Sequence, residues 1–326
     1  MSASASPRVL SGWLFSVLAI GCGDTPASPD ARAPSVDAAP EIVEDAFVPP
    51  GVDAPFPDAH RELDAAMAST DAPSTSTDAP TTYDAPSGSV RLPTANMSID
   101  YQLGGAYEPP SGVQWVSRDR NASIAPGLYN VCYVNGFQIQ PDEESFWLED
   151  HADLILRDAS GDPVIDADWD EMLIDVSTPE KRAAVAAIVG GWIEGCAAAG
   201  FDAIEIDNLD TYARSGGLLS EDDNVAMMRA FSDRAHALGL AIAQKNSAEI
   251  VGRRDELGTD FVVAEECNRY DECDVYTDAY GDLVFVIEYR RVDFDRGCAD
   301  HPGLSIVLRD RNLVTPSAGA YVYDGC

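Results

Sequence analysis

The stretch "GFDAIEIDNLD", residues 200–210, decides the fold and points to the chemistry. An apolar lead runs into three carboxylates, Glu205, Asp207 and Asp210. Side chains alternate along a strand. In the run 202–207, Ile204 and Ile206 therefore share one face, and Glu205 and Asp207 share the other. The isoleucines pack under helices. The acids point inward, Glu205 deeper and Asp207 nearer an open end. Asp210 falls in the loop beyond.

The same design recurs through residues 94–326. Apolar runs at 112–117, 128–134, 153–158, 171–176, 202–207, 240–245, 261–266, 283–289 and 304–310 read as buried strands. Helices are expected between several of them. One spans 179–199, with Thr178, Pro179 and Glu180 as a start signal and Gly200 as a stop. Another spans 220–237, and a shorter one 246–257. Strands alternating with helices imply an α/β fold with a parallel sheet, and a (β/α)8 TIM barrel is expected. Nine candidate strands compete for eight places, so at least one is not a strand or lies outside the barrel. A doubly wound sheet would carry a Gly-rich nucleotide turn after its first strand, and none is present.

Six of the runs finish in polar residues: "LILRD", "MLID", "AIEIDN", "AIAQKN", "VVAEE" and "FVIEY". A TIM barrel keeps its active site at the C-terminal strand ends. Acids, amides and a lysine are thus expected on one rim. Glu265 shares a face with Val263, and Glu266 shares the other with Ala264. Two carboxylates facing each other across a barrel mouth are the apparatus of glycoside hydrolysis. An acidic rim could instead hold a divalent cation through oxygen ligands. Lys245 argues against a metal, because a cation repels a metal ion but keeps a neighbouring carboxylate ionised. Lysine is otherwise found only at Lys181. Ser/His/Asp catalysis lacks support: His151, His236 and His301 are isolated, and no Gly-x-Ser-x-Gly occurs.

The rest of the chain has a different character. Residues 1–22 read as an export signal, with Arg8 before an apolar run shorter than the roughly 20 residues of a spanning helix. Its end, "LAIGC", resembles a lipoprotein cleavage site and makes Cys22 a candidate for lipidation. Residues 23–93 read as a disordered linker, rich in Pro and repeating Asp-Ala-Pro at Asp53, Asp71, Asp78 and Asp84. Of the formal charge of −35, the 43 acidic and 17 basic residues of 94–326 contribute −26. Such a domain repels nucleic acid and anionic lipid. A membrane contact is expected only through the lipid anchor. Beyond Cys22 there are six cysteines, an even number that suits disulfides in an exported domain. Cys267 and Cys273 form the easiest local pair. Cys298 with Cys326, and Cys132 with Cys196, would complete one set among several possible pairings.

These residues resemble glycoside hydrolase family 114, the endo-α-1,4-polygalactosaminidase-like proteins. The likeness rests on "GFDAIEIDNLDTY", "AHALGLAIAQKN", "DFVVAEECNRYDEC" and "VFVIEY", in that order, and extends upstream through "YQLGG", "YNVCYVNGFQ" and "MLIDVS". It implies a (β/α)8 barrel that hydrolyses α-1,4-linked galactosamine polymers. By position, the catalytic pair falls on Asp207 and Glu265. Lys245–Asn246 and Glu288–Tyr289 match paired motif residues, and Cys267 with Cys273 match paired cysteines. Candidates for holding the sugar are Asp175, Asn208, Asp210, Lys245, Asn246, Glu288 and Tyr289. Tyr133, Tyr212 and Tyr289 offer stacking faces. No cofactor and no metal are expected, and a monomer is expected. The competing readings are a non-catalytic polysaccharide-binding barrel and a metal-dependent hydrolase of another substrate.

Overall fold

A computed structural model describes residues 89–326. The expected export signal, Cys22 and most of the expected linker lie outside the described residues. Three strands come first: β1 (Ile99–Gln102), β2 (Trp115–Asp119) and β3 (Tyr129–Asn135). An insertion follows, with β4 (Gln138–Ile139), α1 (Glu144–Asp150), β5 (Ile165–Asp166) and β6 (Glu171–Leu173). The chain then runs through α2 (Pro179–Ala199), β7 (Ala203–Asp207), α3 (Thr211–Arg214), α4 (Glu221–Ala237) and β8 (Ala241–Lys245). It continues with α5 (Arg254–Leu257), β9 (Phe261–Glu265), α6 (Cys267–Tyr270), α7 (Cys273–Tyr280) and β10 (Val284–Glu288). It closes with α8 (Arg291–Asp300), β11 (Ser305–Arg309) and β12 (Tyr323–Gly325).

A nine-stranded sheet runs β1-β2-β3-β7-β8-β9-β10-β11-β12. Neighbours from β1 to β11 are parallel, and β12 returns antiparallel to β11. The sheet curls into a TIM barrel. Its seam is bridged by side chains: the buried Arg309 guanidinium of β11 pairs with Asp100 of β1 at 2.9 Å and donates to the Tyr101 carbonyl. The Tyr323 hydroxyl donates to the Ile99 carbonyl at 3.3 Å.

Strand alternation divides the core in two. Inward residues such as Trp115, Tyr129, Phe261 and Phe285 fill the lumen, beside the small Ala203, Ala241 and Ala243. Trp115 stacks on Phe285 with ring centroids 5.2 Å apart. The lumen is a packed core, so chemistry is confined to the strand ends. Outward residues such as Ile204 and Ile206 pack with Val189 of α2 and Phe231 of α4. Those helices start where capping chemistry places them. Thr178 accepts from the Lys181 amide, and Ser220 forms a reciprocal capping box with Asp223.

Two expected strands are not in the barrel. Residues 153–158 form a short 3-10 turn and isolated bridges, and 171–173 form the central strand of a separate three-stranded sheet, β4-β6-β5. The region expected as a helix over 246–257 splits into a 3-10 segment, Ala248–Arg253, and α5. Disulfides join Cys132–Cys196, Cys267–Cys273 and Cys298–Cys326.

Candidate active site

Lys245 is the centre of the barrel mouth. Its side chain is 2% exposed, and its ammonium lies 3.1 Å from Asp207, 3.2 Å from Glu205 and 3.2 Å from Glu265. It also donates to the Tyr101 hydroxyl at 3.1 Å. Burial opposes its charge, but the three carboxylates overcome that and hold the ammonium well above its usual pKa.

The three acids differ in their surroundings. Glu205 is wholly buried, accepts from Tyr101 at 2.5 Å and from Ser117 at 2.8 Å, and serves the floor of the site. Burial pushes its pKa up. Asp207 and Glu265 are the open ones, with 20% and 27% of their side chains exposed. Burial raises the Asp207 pKa, but Lys245, the Tyr133 hydroxyl at 2.7 Å and the Asn208 amide outweigh it and keep the carboxylate below the usual range. Glu265 accepts from the Tyr289 hydroxyl. Asn246 accepts from the Glu265 amide at 2.7 Å and donates to its carboxylate at 3.4 Å.

Backbone geometry explains how three adjacent strands reach one point. Asn208, Asn246 and Glu266 directly follow β7, β8 and β9, and each has positive φ, at 64°, 46° and 57°. The chain turns sharply there, so the preceding inward residue sits at the very rim. Asparagine tolerates this conformation; a glutamate in it is unusual. Glu266 faces away and pairs with Arg269 at 2.7 Å and Arg311 at 3.1 Å.

The structure brings together Asp207, Glu265, Lys245, Asn246 and Tyr289 among the expected residues. Lys245 and Asn246 hold the acids rather than reach toward open space. Asn208 and Asp210 lie beside them and both accept from Arg214, at 3.2 and 2.7 Å. Two residues are not in the cluster. Asp175 binds Ser177 and Lys181 near the start of α2. Glu288 sits on the outward face of β10, where it accepts from Asn268 at 2.9 Å. Its alternation with Ile287, a lumen residue, assigns it to that face. Tyr133 and Tyr289 have their hydroxyls committed to the two open acids. Tyr212 donates to Glu249 in a neighbouring loop.

Sequence reasoning missed Tyr101, Ser117 and Glu171. The first two precede the recognised acidic strand ends and carry no charge to mark them. Glu171 stands in an apolar run that looked like a barrel strand. It accepts from Asn135 at 3.3 Å, and Asn135 is the register partner of Asp207. The ammonium of Lys245 occupies the space a metal would need between the carboxylates, which disfavours a cation site there.

A sequence profile of glycoside-hydrolase family GH114 matches residues 79–326. No curated protein matches. Among solved structures, the chain is similar to Aspergillus fumigatus Ega3, crystallised in complex with galactosamine. The identity is 20% and the TM-score 0.59, over 73% of this chain and 98% of that one. The glycoside hydrolase domain of PelA from Pseudomonas aeruginosa is 16% identical, with a TM-score of 0.48 over 70% and 98% of the two chains. At such identities the structural likeness speaks for the fold alone. The family match covers most of the sequence and the whole barrel: the chain belongs to glycoside-hydrolase family GH114.

Proposed function

We propose that this glycosidase is exported and cleaves α-1,4-linked galactosamine-containing polysaccharide, with Asp207 and Glu265 as its two working carboxylates. The observation that carries the reading is their shared ammonium. Both acids sit at strand ends, both bind Lys245, and both remain open to a ligand while Glu205 does not. Oxygens bound at 3.1 and 3.2 Å to one nitrogen lie no more than about 6.3 Å apart, and less when the two bonds are not in line. That is closer than the roughly 6.5–9.5 Å that leaves room for water in inversion, and it favours retention.

In this mechanism Asp207, held ionised, attacks the anomeric carbon. Glu265 gives its proton to the departing glycosidic oxygen. Water then hydrolyses the glycosyl ester, with Glu265 taking the water's proton. The galactosamine bound to the similar Ega3 structure supports an amino-sugar substrate. The acidic domain supports a cationic, deacetylated one. Three disulfides support an oxidising compartment. A lipid on Cys22 would keep the enzyme at a membrane surface.

The test is a reducing-end assay on galactosamine oligomers, with Asp207→Asn and Glu265→Gln beside wild type. Each variant is expected to lose about a thousandfold or more in kcat/KM. Near-wild-type turnover in either would remove the assignment. Proton NMR of the first-formed anomer reads retention directly.

A further inference from the structure

Among the described residues, Glu171 is an acid at the mouth that stands without a cation. The acids that act on it most, Asp207, Asp166 and Glu143, each have one. Lys245 serves Glu205, Asp207 and Glu265, and Arg214 serves Asp166 at 3.1 Å and Asp210 at 2.7 Å. Arg120 serves Glu143. Among the described residues, no lysine or arginine nitrogen lies within 4.0 Å of the Glu171 carboxylate. Among the described residues its carboxylate accepts from Asn135 alone, the register partner of Asp207, whose charge acts on it.

The hairpin that carries Glu171 also presents an aromatic ring to solvent. Trp169 lies two residues earlier, in the β5–β6 turn, and is 64% exposed. The turn is well tied. The Asp170 amide donates to the Asp166 carbonyl at 2.8 Å, and the Asp168 amide to the Asp166 carboxylate at 2.9 Å. Asp166 is itself bound by Gln138 at 2.6 Å and by Arg214. An exposed indole offers a sugar a stacking face, and its π face also attracts an ammonium.

We propose that Glu171 recognises the amino group of a hexosamine unit bound beside Asp207, with Trp169 receiving the apolar face of the bound chain, a reading that rests on the galactosamine substrate proposed above. The arriving ammonium is the counter-charge this carboxylate lacks. An N-acetylated unit brings none. Glu171 is therefore the specificity-determining residue for a deacetylated stretch.

Titration supports the geometry. Burial first, then Asp207, pushes the Glu171 pKa up to about 7, with Asp166 and Glu143 adding to the rise and Asn135 opposing it. In the free enzyme the carboxyl is neutral below about pH 7 and must release its proton to pair with an ammonium. KM for deacetylated oligomer, divided by KM for acetylated oligomer, should thus fall as pH rises toward about 7, below the range where the sugar amine itself loses its proton. Taking the ratio removes pH effects of the catalytic machinery that act on both substrates alike.

The experiment is steady-state kinetics on fully deacetylated and fully N-acetylated galactosamine oligomers, with wild type, Glu171→Gln and Glu171→Asp. In Glu171→Gln, KM for the deacetylated oligomer should rise about tenfold or more, and the preference over the acetylated one should shrink equally. Glu171→Asp, which keeps the charge, should recover part of that preference. A preference unchanged in Glu171→Gln would overturn the assignment. So would a loss confined to kcat, which would place Glu171 in proton transfer. Were Glu171→Gln unable to fold, a wild-type KM ratio that stays flat as pH rises toward about 7 would overturn the proposal by itself. Wild type that cleaves neither oligomer would instead remove the substrate reading beneath it.

Discussion

Lys245 shows how one residue can set the ionisation of a whole site. Replacing it with methionine strands three carboxylates around an empty centre, at a cost of about 3–5 kcal/mol in stability. Glu205 and Asp207, whose pKa values Lys245 lowers, then take up protons more readily. As the proposed nucleophile, Asp207 with its depressed folded pKa should support activity to low pH, with activity fading as pH falls through that value. In Lys245→Met this acid limb of kcat/KM should move to higher pH; a profile that stays in place would exclude the lysine from control of Asp207. Glu288 makes the opposite case. It is fully buried, bonded to Asn268, and its pKa is pushed up to about 7 by burial. Its contribution to stability is complete below the unfolded value and is lost as pH rises through about 7. Glu288→Gln should therefore raise Tm at pH 8 relative to wild type and not at pH 5, as read by thermal unfolding. Both residues end an apolar run in the same way. Alternation from Ile287 could have assigned Glu288 to the outer face; the motif resemblance pointed the other way.

At the scale of elements, the barrel was legible where a strand is apolar on both faces. The runs ending at Asp207, Lys245, Glu265 and Glu288 were all found, within a residue or two of the observed strands. The insertion was not. The runs 153–158 and 171–176 are short, apolar and buried against α1 and α2, so they carry the same local signal as barrel strands. Only their pairing in a second sheet distinguishes them, and pairing is not local. β1 failed for the reverse reason. Asp100 and Gln102 interrupt it with polar side chains, and these bind Arg309 and Arg118 on neighbouring strands. The disulfides allow elements to be tested separately. Cys132–Cys196 ties β3 to α2 across 64 residues, while Cys267–Cys273 closes six residues just past Glu265 and Glu266. Removing the first with paired serines should cost about 4 kcal/mol and leave a folded site under stabilising conditions. Removing the second should change Tm less and kcat/KM more. Equal effects on both quantities would deny the short loop a role in setting the β9 rim.

For the whole molecule, charge is the property most easily read from composition. The 94–326 segment carries −26, and the cationic polymer it is proposed to cleave would be drawn in over distances that salt shortens. Raising salt should lower kcat/KM for deacetylated polymer and leave acetylated polymer nearly unaffected; salt insensitivity on both would detach the acidic surface from substrate capture. What composition hides is the pairing of those acids inside the mouth, because neutralisation by Lys245 or Arg214 depends on residues distant in sequence. The scarcity of lysine has a practical corollary. Lys181 is 35% exposed at its side chain, whereas Lys245 is sealed within the barrel mouth. An amine-acylating reagent meets the first in the native protein and the second only after the barrel opens. The chain thus carries its own unfolding reporter, read by peptide mass spectrometry, with an internal reference on the same molecule.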